Sequence, residues 1–168
     1  GANSRESGRL SQAGEKLMHS TRLAELGITL PDVAAPVAAY VPALQVGNQV
    51  WTSGQLPFVD GVLPATGKVG AEISPEDAAT YARQAVLNAL AAVDALVGID
   101  AVTRVLKIVG FVASAEGFTG QPAVVNGASH LVGEIFGDAG AHVRSAVGVA
   151  ELPLSSPVEV ELVVEIAH

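Results

Sequence analysis

The sequence predicts an α+β domain: a mixed, mostly antiparallel sheet with two helices packed on one face. Three observations lead there. Apolar patterns follow one another in the order β-β-α-β-α-β-β, with helices interspersed among strands. Residues 74–98 carry the strongest helix signal in the chain. The C-terminal stretch HVRSAVGVAELPLSSPVEVELVVEIAH alternates side-chain character in two strand-length runs.

The first 17 residues, GANSRESGRLSQAGEKL, are rich in Gly, Ser and charge, and the single methionine, Met18, follows them. They read as an expression tag or disordered leader ahead of one domain over residues 18–168. Residues 19–30 suggest a short helix, with Leu23, Leu26 and Ile28 apolar and Gly27 near its end. LPDVAAPVAAY is Pro-rich and extended. Two strands follow, YVPALQV and QVWTSGQ, joined by Gly47-Asn48, where glycine supplies the positive φ of a tight hairpin turn. Residues 57–73 form a Gly/Pro-rich loop. Ser74 then caps a helix, with Pro75 at its first position and Asp77 three residues after the cap. Ala78, Ala82, Val86, Leu90 and Val93 trace its apolar face, and Gly98 closes it. TRVLKIVGFVAS is a strand. A second helix runs from about Gln121 to Phe136, with Val125, Ala128, Val132 and Ile135 on one face.

Composition narrows the function classes. The net charge of −8 argues against a nucleic-acid binder, which normally shows a basic face. The chain has no cysteine, which removes disulfides, thiolate nucleophiles and Cys-based zinc, and fits a cytoplasmic location. The four histidines, His19, His130, His142 and His168, form no metal-binding pattern. The most apolar stretch, AVLNALAAVDALVGIDAV, is broken by Asn88, Asp94, Gly98 and Asp100 and does not read as a membrane span.

Arg144 is the informative residue. By alternation Val143, Ser145, Val147 and Val149 share one face of their strand, while Arg144, Ala146, Gly148 and Ala150 share the other. Alternation alone reads Arg144 as a solvated strand end and the row Glu159, Glu161, Glu165 as the wet face of the next strand. Two features pull against that reading. The neighbours of Arg144 are small enough to leave a hollow beside it, and a guanidinium matches a carboxylate through two parallel hydrogen bonds.

VRSAVGVAELP followed by VEVELVVEI, with AYVPALQVGNQVWTSGQLP upstream, YARQAVLNALAAV on the first helix and VVNGA on the second, resembles the Rid (YjgF-like) reactive-intermediate deaminase family over residues 36–166. The family also carries the label endoribonuclease L-PSP. The resemblance implies a fold like trimeric chorismate mutase, a homotrimer with clefts between subunits, and no cofactor or metal. It implies hydrolysis of enamines and imines such as 2-aminoacrylate and 2-iminobutanoate to 2-keto acids and ammonia. Arg144 would clamp the substrate carboxylate, and Glu159 would help hold the attacking water. Tyr40, Ser53 and Asn126 would surround the cleft, and the Ala146 carbonyl would contact the water.

Each of these residues also has a plain structural reading. Tyr40 could be a strand aromatic and Ser53 a turn residue, and sequence alone does not choose among Glu159, Glu161 and Glu165. Ala146 stands where active members often have cysteine, Gly148 replaces a bulkier residue, and the 57–73 loop looks long, all of which suggests a divergent subgroup. A non-catalytic trimer that binds small acids, and an endoribonuclease, are the alternatives.

Overall fold

The computed structural model describes residues 18–36 and 38–168; the leader expected over residues 1–17 lies outside them. The elements are α1 (His19–Glu25), β1 (Ala43–Val46), β2 (Gln49–Thr52), α2 (Pro75–Val97), β3 (Val102–Ala113), α3 (Gln121–Phe136), β4 (Val143–Val149) and β5 (Val158–Ile166). The strands make one mixed sheet in the order β1-β2-β5-β3-β4. Only β3 and β4 are parallel, and α3 is the crossover between them.

Local chemistry sets the boundaries. The Ser74 hydroxyl accepts the Asp77 N–H at 3.1 Å, Pro75 opens α2, and Gly98 ends it at φ +81°. Gly47 turns the β1–β2 hairpin at φ +58°. Both hairpin strands are shorter than the sequence suggests. Pro42 has no N–H to give the ladder, and after Thr52 the chain leaves β1 and pairs with β5 through a single Gln55–Val160 bridge. Helix α1 is also shorter than expected. It stops at Glu25, and the N–H of Ile28 then bonds back to the Leu23 carbonyl beyond Gly27 at φ +68°.

The apolar faces of α2 and α3 pack on the sheet. Ala78, Ala82, Val86, Leu90 and Val93 are buried, as are Val125, Ala128, Val132 and Ile135. They meet Val105, Ile108, Val112, Val158, Val160, Leu162 and Val164 of the central strands. Alanine and glycine bring the layers close: Gly127 of α3 lies against the Ala79 carbonyl of α2, and Gly110 of β3 lies under Val125. The third helix, α1, is tied down at its first turn. The His19 Nε2–H donates to the Val102 carbonyl at 2.7 Å, and its ring meets Phe136 edge-on at 4.6 Å. Among the described residues, no helix is long and apolar enough to cross a membrane.

Candidate active site

The residues singled out by the sequence fall into two groups. Tyr40, Ser53 and Glu159 line one cavity of about 380 Å³. Its wall is the apolar segment Ala34, Ala35, Pro36, Ala38 and Pro42, and Leu56, Phe58 and Pro153 complete it. Tyr40 lies before β1 and is half exposed. Ser53 donates its hydroxyl to the Val41 carbonyl at 2.6 Å, which fixes the turn and leaves the oxygen's lone pairs to receive a donor.

Glu159 enters the cavity beside Gly54. A Cβ at position 54 would stand 2.5 Å from Glu159 Oε1, so the missing side chain is what gives the carboxylate its place. Burial, and then the neighbouring Glu161, hold the Glu159 carboxyl above the ordinary carboxylate range. Burial also raises Glu161, against the opposing pull of Lys107. The folded chain therefore holds these protons more tightly than the unfolded chain. Their contribution to stability declines as pH rises from the ordinary carboxylate pKa through the raised one.

The second group is Arg144, Asn126 and Ala146. Arg144 Nη1 donates to Asn126 Oδ1 at 2.8 Å and to Ser129 Oγ at 3.1 Å, and Nη2 donates to the Pro122 carbonyl at 3.2 Å. Pro122, Asn126 and Ser129 are four and three residues apart on α3, so they form one stripe along which the guanidinium lies. Asparagine inside the helix thus has a hydrogen-bonding use here. The hollow expected beside Arg144 is narrowed from the helix side, while Gly148 stays exposed. The small residues of β4 let α3 approach, and a Cβ at Gly148 would meet Gln121 Nε2 at 2.7 Å and Ser114 Oγ at 2.9 Å. Ala146 packs half-buried against the helix layer.

Strand register keeps the two groups apart within one chain. Ile108 stands beside both Arg144 and the buried Leu162, so Arg144 is on the helix-facing side of the sheet. Phe111 stands beside both Val147 and Glu159, so Glu159 rises from the opposite side. Sequence reasoning did not single out Gly54, Ser129 or His142. The spacing of Pro122, Asn126 and Ser129 on a helix is the signal that could have drawn attention to Ser129.

A family model described as "YjgF/chorismate_mutase-like, putative endoribonuclease" matches residues 20–166. The chain belongs to this YjgF family. Among its relatives, Protein TCP17 of Trypanosoma cruzi is 42% identical over 149 residues, covering 88% of this chain and 93% of that protein. The 2-iminobutanoate/2-iminopropanoate deaminase of Escherichia coli K12 is 34% identical over 136 residues, covering 81% and 94%. The crystal structure of Atu1372, a protein with unknown function from Agrobacterium tumefaciens, superposes with a TM-score of 0.83 at 40% identity, covering 95% of this chain and 99% of that one. The YjgF family therefore accounts for the mixed sheet with its helices, and its members include proteins named as deaminases and as endoribonucleases.

Proposed function

We propose that this YjgF-family protein hydrolyses enamines and imines of the 2-aminoacrylate and 2-iminobutanoate type to 2-keto acids and ammonia, in the cytoplasm and in clefts between copies of a homotrimer. The observation that carries the reading is the desolvated Glu159 carboxylate beside an apolar cavity, in a chain 34% identical to a deaminase for such imines. Arg144 of one copy binds the substrate carboxylate, and Glu159 of another faces C2. Glu159 holds a water and takes a proton from it as the oxygen adds to C2. The C=N electron pair moves to nitrogen, which takes up a proton. The hydroxyl proton then passes to the amine nitrogen, the C–N bond breaks, ammonia leaves, and C2 becomes a carbonyl. Tyr40 and Ser53 bound the cavity side of this cleft, with Asn126 and the Ala146 backbone on the arginine side.

Two further features support assembly. Arg144 and Glu159 lie on opposite faces of one sheet, so a site that uses both draws on two copies. The outer face also carries an apolar row: Leu44 pairs with Trp51, Trp51 with Val163, and Lys107 with both Val163 and Val143. Trp51 is 50% exposed and Val143 69% exposed in the single chain. Light scattering is expected to give the mass of three 17.0 kDa chains. Trp51→Glu is expected to give a folded monomer without imine hydrolysis. A wild-type protein that stays monomeric at micromolar concentration removes the shared site.

The assay couples an amino-acid oxidase to this protein and follows loss of the imine. Activity is expected with imines of small and of branched aliphatic amino acids, because the cavity lies in the volume range that encloses whole ligands, roughly 300–1,000 Å³. The rate is expected to fall on the acid side at a pH above the ordinary carboxylate range, following the raised Glu159 carboxyl, and Glu159→Gln is expected to abolish that limb. A limb unchanged in Glu159→Gln would assign the proton step to another group.

The opposite-face placement of Arg144 and Glu159 also suits a non-catalytic trimer that binds small acids. That protein would bind 2-ketobutyrate without accelerating imine loss. RNA cleavage is the poorer fit, because the residues lining the Glu159 cavity include no lysine or arginine for phosphate contacts.

A further inference from the structure

We propose that His142 and Ser129 are positioning residues that fix the rotation of the Arg144 guanidinium, so that its Nε/Nη2 edge is presented to a substrate carboxylate. The inference rests on the reading of Arg144 as the carboxylate clamp.

The proton directions follow from the partners. His142 Nδ1 lies 2.6 Å from the Gly140 carbonyl oxygen, which can only accept, so Nδ1 carries a proton and donates it. In the neutral ring Nε2 then holds a lone pair. Ser129 Oγ lies 2.9 Å from it and donates its single proton there. With that proton committed, the Ser129 oxygen turns a lone pair to Arg144 Nη1 at 3.1 Å. Asn126 Oδ1 accepts the other Nη1 proton at 2.8 Å, and the Pro122 carbonyl accepts one Nη2 proton at 3.2 Å. Both protons of Nη1 are thereby used. Nε–H and the second Nη2 proton make no hydrogen bond within the described residues. Nε and Nη2 lie on one side of the planar fork, the side that meets a carboxylate through two parallel bonds.

The backbone holds the far end of the relay. Gly140 is buried, and a Cβ there would stand 2.6 Å from the Val132 carbonyl of α3, so only glycine lets the turn Gly137–Gly140 sit this close to the helix. Its carbonyl is thus fixed to the same helix that carries Ser129 and Asn126. His142 immediately precedes β4, and Arg144 lies two residues on, on the same face of the chain. Helix α3, the turn and β4 meet in one hydrogen-bonded chain that ends at the guanidinium.

The test measures 2-ketobutyrate and its neutral amide, 2-oxobutanamide, as ligands of the full-length protein by calorimetry, together with imine hydrolysis. Ser129→Ala and His142→Gln are each expected to weaken 2-ketobutyrate binding about three- to tenfold, the factor matching one ordinary hydrogen bond. The amide should lose little, because it cannot use the charged fork. KM for the imine should rise by a similar factor with kcat within about twofold. The double variant should be no worse than the weaker single one, because the two residues act in series. Melting curves and light scattering separate these losses from misfolding, and His142→Gln, which retains a donor and an acceptor, is the gentler of the pair. Arg144→Ala is the reference arm. If it leaves 2-ketobutyrate binding intact, the clamp reading fails, and this inference with it. If Arg144→Ala loses the carboxylate while Ser129→Ala and His142→Gln bind and turn over like the parent, the clamp stands and the positioning role is wrong. Equal losses for acid and amide would likewise overturn it, pointing to a general distortion of α3.

Discussion

Arg144→Ala and Glu159→Gln, each nearly inactive alone, are expected to regain about a quarter of the parent rate when unfolded together in equal amounts and refolded. The expectation follows from the sheet. Arg144 faces the helices and Glu159 faces away from them, so in the proposed trimer each cleft would take its arginine from one copy and its glutamate from the next. In a ring of three, every mixed trimer contains one cleft built from the two unmutated residues, and random mixing makes about three-quarters of the trimers mixed. The two variants should also fail differently by themselves. Arg144→Ala loses the charged fork in ground and transition state alike, so 2-ketobutyrate binding and kcat/KM fall together. Arg144→Lys rescues poorly, because an ammonium lacks the planar pair of donors. Glu159→Gln is expected to leave 2-ketobutyrate affinity within a few-fold and to lower kcat, because its proposed work is on the water. Failure of the mixture to recover any rate, with trimers confirmed by scattering, would exclude a shared cleft. Imine hydrolysis by Arg144→Ala at the parent rate would remove Arg144 from the site, and a parent protein that binds 2-ketobutyrate without hydrolysing imines would be the trimeric acid binder.

Much of the fold was legible because its signals are local. The cap at Ser74, Pro75 at the first turn and Gly98 at the end mark α2 within a residue. The apolar stripe of α3 ends where Gly137 turns the chain at φ +59°. Alternation correctly separates Glu159 from Val158 and Val160. Alternation could not say which face of β4 meets the helices, because that depends on the parallel pairing of β4 with β3 and the antiparallel pairing of β5 on the other side of β3. Pairing of that kind is non-local. The same limit applies to the hollow expected beside Arg144. Small residues beside an arginine are equally suited to a ligand and to a close helix, and only the packing of α3 shows how much of that space the helix takes. His142 was visible as a histidine without a metal pattern, yet its link to Arg144 runs through Ser129, thirteen residues earlier on another element. Glu159, Glu161 and Glu165 remain alike in alternation. What distinguishes Glu159 is Gly54, which reaches it from a different part of the chain.

Gly127→Ala and Gly133→Ala, the same substitution in the same helix, are expected to change stability in opposite directions. Both glycines lie inside α3, where alanine is favoured over glycine by about 1 kcal/mol. Gly133 is exposed, and a Cβ there meets nothing within 4 Å, so the propensity gain should be realised and the melting temperature should rise slightly. At Gly127 the added Cβ would fall on the Ala79 carbonyl of α2. That obstacle is backbone within a regular helix and has no alternative rotamer. The two helices must separate, and Val125 and Ala128 must lift from the sheet with α3. Overpacking of this kind costs about 1–3 kcal/mol, at times more, and exceeds the propensity gain. For a chain this long each kcal/mol is about 2–4 °C, so a fall of roughly 4–8 °C is expected against Gly133→Ala under the same scan. The substitution should also reach the ligand. Asn126 immediately precedes Gly127, and Ser129 follows it by two residues, so moving α3 displaces both groups that hold Arg144 Nη1. Gly127→Ala should therefore weaken 2-ketobutyrate binding well below the melting transition, where Gly133→Ala binds like the parent. Equal melting temperatures for the two variants would mean that α2 and α3 are not in contact at Ala79.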